Sequence, residues 1–132
     1  MATAAEQHIG GFKSQELANT AWALATADQN DASLFAALAT AAQQHMDGFN
    51  PQGLSNTAWA FATASQKDAS LFAALATAAQ WCMGDFKPQE LANTAWAFAT
   101  AGQKIASLFA ALATAAQQRM NGFDPQDLAS TA

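Results

Sequence analysis

Two sets of side chains in this 132-residue chain carry usable chemistry. The first is the column His8, His45, Cys82 and Arg119, spaced 37 residues apart, in which three members are zinc-ligand types. Packed helices lie about 8–10 Å apart, and the column has none of the short-range ligand pairs that a zinc site uses. No metal or other cofactor is therefore expected, and a His or Arg side chain in a last helical turn, complementing the helix dipole, accounts for the column there. A nucleophile needs a base to orient it. The two His residues are equivalent positions with no unique Ser, Asp or Cys beside them, while Ser33, Ser70 and Ser107 recur identically as parts of a helix start. No catalytic residue is expected, and the chain is read as a non-enzyme.

The second set is Gln15, Asn19 and Thr26, with the same side chains at Gln52, Asn56 and Thr63 and again at Gln89, Asn93 and Thr100. At the helical 100° per residue each trio falls in one polar arc, with Trp22, Trp59 or Trp96 at its edge. Carboxamides hydrogen-bond base edges, and an indole can stack on a base. The alternative for the aromatic column is packing against the next repeat, under which Trp59→Ala costs stability more than affinity. The alternative for Asn is a hydrogen bond across the hairpin junction. Because the three arcs are identical, they would read a homopolymer or nothing.

The elements that hold these arcs are legible from a strict repeat. Phe12, Phe49, Phe86 and Phe123 stand 37 residues apart, as do Trp22, Trp59 and Trp96. The units divide as repeats 12–48, 49–85 and 86–122, with half units 1–11 and 123–132, and the first and third differ at seven positions. Such likeness means recent duplication or a designed consensus array, and irregular spots such as "WCM" from Trp81 favour a natural gene. Ala supplies 37 residues, while Val and Tyr are absent, which favours helix over strand. In the middle unit Leu54, Ala58, Phe61 and Ala62 form one apolar stripe. Asn50 and Pro51 give it a helix start, repeated at Asp124 and Pro125. A second segment runs from about Asp68 to Met83, with Leu71, Phe72, Leu75, Ala79 and Met83 inward. Asp31 and Asp68 can cap the second helices; Ile105 replaces them in the third unit. Helices are expected to begin near Gln15, Asp31, Pro51, Asp68, Pro88 and Ala106. The fold class is all-α, a solenoid of stacked helix-turn-helix hairpins, expected to wind right-handed.

Charge and ends bound the partners. Five Lys plus Arg against ten Asp plus Glu give a net charge of −5, a balance that opposes nucleic-acid binding. No apolar run approaches the roughly 20 residues that span a bilayer, no targeting segment is recognisable, and a single Cys leaves the redox compartment open. Both ends fall inside a repeat, so the chain reads as a window on a longer array, and its open ends are expected either to self-associate end to end or to be stable only inside a larger chain or complex.

The recurring phrase in "SQELANTAWALAT", "PQGLSNTAWAFAT" and "PQELANTAWAFAT" resembles the octotricopeptide repeats of algal and protist organellar proteins. That resemblance implies an α-solenoid that binds single-stranded RNA in chloroplast or mitochondrion and governs its maturation, stability or translation. The competing expectation, favoured by the acidic charge, is a protein-interaction scaffold or accessory subunit of an organellar complex.

Overall fold

The computed structural model describes residues 11–121. Six α-helices occupy them: α1 (Ser14–Thr26), α2 (Ala32–Gln44), α3 (Pro51–Thr63), α4 (Ala69–Trp81), α5 (Pro88–Thr100) and α6 (Ala106–Asn121). Among the described residues there is no strand. Helix starts lie within one residue of the expected positions. The capping expectation at Asp124 and Pro125 falls outside the described residues, as do the half unit 123–132 and most of 1–11.

Each start is held by local chemistry. Leu34 N–H donates to Asp31 Oδ1 at 3.1 Å and Leu71 N–H to Asp68 Oδ1 at 3.0 Å, which satisfies one of the orphan donors of each helix. The first helices use two solutions to the same problem. In α3, Gly53 N–H donates to Asn50 Oδ1 at 2.7 Å. In α1 and α5 the direction reverses, and the Lys13 and Lys87 N–H groups each donate 2.8 Å to the Glu16 and Glu90 carboxylates. An acidic side chain three residues into the helix also sits favourably at the positive end of the dipole.

The first helices all stop the same way. Asp28, Ser65 and Gly102 stand one repeat apart with φ of 60°, 59° and 73°. Gln29, Gln66 and Gln103 N–H groups then reach back to the Leu24, Phe61 and Phe98 carbonyls at 2.9, 2.8 and 2.8 Å. This is the left-handed C-terminal cap that closes a helix by satisfying its last carbonyls. The second helices α2 and α4 end differently, each followed by one turn of 3-10 helix at Met46–Gly48 and Met83–Asp85. The segment expected to run on to Met83 therefore stops at Trp81, and Met83 is buried from the 3-10 turn instead.

Stacking forms two layers. α1, α3 and α5 lie side by side and make the closest packing in the molecule, while α2, α4 and α6 form the second layer. The interior is the expected one: Leu54, Ala58, Phe61 and Ala62 of α3 and Leu71, Phe72, Leu75 and Ala79 of α4 are all buried. Alanine lets the first helices approach, and the Phe rings lock one unit to the next. Phe35 meets Phe61 edge-on with centroids 5.1 Å apart, and Phe72 meets Phe98 in the same way at 5.0 Å, an arrangement worth about 0.5–1.5 kcal/mol beyond area burial.

Candidate functional site

The polar arcs of the three first helices face outward on one side of the first layer. Gln15, Gln52 and Gln89 are exposed, as are Thr26, Thr63 and Thr100; Asn19 is exposed and Asn56 and Asn93 are half-buried. Each arc projects from the face opposite the buried Leu, Ala and Phe stripe, because positions i, i+4, i+7 and i+11 share one side of a helix. Neighbouring helices therefore place a row of Gln, a row of Asn, a row of Trp and a row of Thr across the array.

The Trp row is largely open to solvent. Trp22 is 45% and Trp96 48% exposed, and Trp59 between them is half-buried. The Trp22 and Trp59 rings pair at 6.4 Å between centroids, tilted by 32°. Trp96 makes no ring contact among the described residues.

Where α1 and α3 meet, the arcs converge. Ser14, Gln15, Ala18 and Asn19 on one wall and Gly48, Phe49, Asn50, Gln52, Gly53 and Asn56 on the other enclose a cleft of about 230 Å³. Its lining is polar and carries no charged side chain. None of the Gln15, Asn19, Gln52 and Asn56 carboxamides has a hydrogen-bond partner among the described residues. The walls are fixed from behind. Ser14 Oγ donates to the His45 carbonyl at 2.6 Å, and a Cβ at Gly48 would fall 2.6 Å from Ser14 Oγ, so a larger residue there would displace this hydroxyl.

A second cleft differs in character. Between α5 and α6, Leu91, Ala95, Phe109, Leu112, Ala116 and Met120 line an almost wholly apolar groove of about 450 Å³. One repeat earlier the same positions, Leu54, Ala58, Phe72, Leu75, Ala79 and Met83, are all buried, with α5 packed on α3 and α6 on α4.

In the His/Cys/Arg column the side chains of Cys82 and Arg119 make local backbone contacts, and His45 contributes its backbone carbonyl. The His45 carbonyl receives Ser14, as above. Cys82 Sγ lies 3.4 Å from the Ala78 carbonyl, and burial, with a smaller contribution from Asp85, pushes its thiol pKa up. Arg119 Nη2 donates to the Gly84 carbonyl at 2.7 Å and to that of Phe86, tying α6 to the preceding 3-10 turn. His8 lies outside the described residues. No cluster of three potential metal ligands occurs among the described residues. Sequence reasoning missed the cleft itself, because its one signal is Gly53, a gap in a column otherwise filled by Glu16 and Glu90.

A protein-family model described as "RESC6: RNA-editing substrate-binding complex 6 protein" matches residues 3–132. No curated protein and no solved structure matches the chain.

Proposed function

Because the chain belongs to the RNA-editing substrate-binding complex 6 protein family, we propose that it is a non-catalytic helical-repeat module of an RNA-editing assembly that engages single-stranded RNA. The observation that carries this reading is the outward face of the first layer. Its carboxamides and Trp rings recur in phase, face solvent, and in the α1–α3 cleft lack internal hydrogen-bond partners. Base edges and base faces are what such a surface recognises. The family name supports an RNA-related role; the octotricopeptide character, and with it an organellar site of action in chloroplast or mitochondrion, rests on the "PQELANTAWAFAT" resemblance. With a net charge of −5, contacts to phosphate contribute little, so this binding depends weakly on salt. Titration of the chain with mixed-sequence single-stranded RNA at several salt concentrations tests the reading. Saturable binding with a shallow salt slope is expected; its absence for a folded chain would count against RNA as the ligand.

A second reading, a protein-interaction scaffold, is favoured by the apolar α5–α6 groove. By the repeat, its occupant is a further helical unit, supplied by the end of a second copy. Sedimentation over a wide concentration range checks this: concentration-dependent end-to-end association is expected if a second copy fills it. A monomer at all concentrations, with α6 amides exchanging freely, would remove that occupant.

A further inference from the structure

The two seams between successive first helices are built from the same sequence columns and are not equivalent. At the α1–α3 seam the N3 position of the second wall is Gly53, which lines the carboxamide cleft and where a Cβ would lie 3.1 Å from Asn50 Oδ1 and 3.3 Å from the Phe49 ring. At the α3–α5 seam the same position is Glu90, whose carboxylate folds back to the Lys87 N–H and whose carbonyl is approached by Ser55 Oγ at 3.5 Å. Only the first seam also carries a Trp pair, one helical turn beyond its Asn residues. We infer that the α1–α3 seam is a subsite for a single unpaired adenine of an RNA strand, held edge-on by Gln15, Asn19, Gln52 and Asn56, with a flanking base on the Trp22–Trp59 rings.

The chemistry of the lining selects the ligand. With no cation in the cleft, phosphate is not what it binds; a neutral, planar, hydrogen-bonding group is. A carboxamide presents a donor beside an acceptor, and Asn and Gln meet adenine through its amino group and adjacent ring nitrogen. Adenine has a ring acceptor on each side of its amino group, so carboxamides from opposite walls can engage it together, an arrangement cytosine offers on one side only. The tilted indoles beside the cleft favour a stacked strand over an extended peptide. The repeated arcs then need not read a homopolymer: the selective feature is the seam, whose N3 position is Gly53 at the first junction and Glu90 at the second.

This inference rests on the RNA reading above, and the experiment separates the two. Trp fluorescence of the full chain is titrated with short homopolymeric A, U and C RNA oligomers and with AMP. Oligo-A is expected to bind most tightly, and AMP much more weakly. Gly53→Glu, which installs the residue native to the other two units, is expected to weaken oligo-A on the order of tenfold; because its Cβ would crowd Asn50 Oδ1 and the Phe49 ring, its thermal melting is measured alongside, and Asn19→Ala, at an exposed position, is the variant expected to leave melting unchanged. Asn19→Ala should act in the same direction, and Gln89→Ala on the far seam should not. Oligo-A binding that ignores both Gly53→Glu and Asn19→Ala overturns the subsite and leaves RNA binding standing. Equal affinity for all oligomers overturns the adenine assignment, and AMP binding as tightly as oligo-A overturns RNA as its source. A folded chain that binds no oligomer overturns both the subsite and the RNA reading.

Discussion

At the scale of single residues, equivalent positions have unequal chemistry. Thr57 Oγ1 donates to the Gly53 carbonyl at 2.7 Å, whereas the hydroxyl of Thr94, its counterpart one unit on, is buried without a partner. An unpaired buried hydroxyl costs about 1–3 kcal/mol relative to an apolar group of the same shape. Thr94→Val is therefore expected to raise stability by about 1 kcal/mol and Thr57→Val to lower it by a similar amount, both read from urea denaturation midpoints. Cys82 offers another test at this scale. Its thiol is held neutral by burial first and by the negative charge of Asp85 second, and only the thiolate reacts. Alkylation at pH 8 should be slower than for a free small thiol, and should accelerate to the free-thiol rate on unfolding.

At the scale of elements, the hairpin turns depend on a left-handed residue that only one unit supplies as glycine. Asp28 and Ser65 adopt positive φ with a Cβ, whereas Gly102 does so without one, and side chains pay roughly 1 kcal/mol for that region. Asp28→Gly and Ser65→Gly are each expected to stabilise by about 0.5–1 kcal/mol, and Gly102→Ala to destabilise by about 1 kcal/mol. Space does not confuse the last result, since a Cβ on Gly102 meets nothing within 4 Å. Paired thermal melts of the three variants decide it; a uniform response would show that the turn tolerates any residue equally. The starts of the first helices were legible as Asn50 with Pro51, but the Lys–Glu arrangement at Lys13 and Lys87 was not, because Lys is no side-chain cap and the bond runs from its backbone N–H to a Glu three residues on.

At the scale of the whole molecule, stability resides between units. Each hairpin is too small to bury its own core, so the Phe35–Phe61 and Phe72–Phe98 contacts make the array cooperative. Phe72→Ala is expected to cost about 3–5 kcal/mol and, because the lost contact lies between the second and third units, to split unfolding into two transitions by calorimetry. A single transition merely shifted downward would mean that the first-helix layer alone couples the units. The same layer sets the functional surface, since close packing of α1 on α3 is what brings carboxamides from two units to one cleft.

The period, the helices and the buried faces follow from spacing within one unit and are legible along the chain: Leu54, Ala58 and Phe61 share a side of a helix whatever they pack against. The same spacing also placed Gln15, Asn19, Gln52 and Asn56 on a common arc. Which arcs meet, how far apart they stand and whether the space between them is open were decided by tertiary packing. Those are relations between units, set by side chains at the seam rather than on the arc. The absence of one side chain at Gly53 is indistinguishable along the chain from a weak helix residue, and acquires its meaning only when Ala18 and Asn19 of the neighbouring helix stand opposite it.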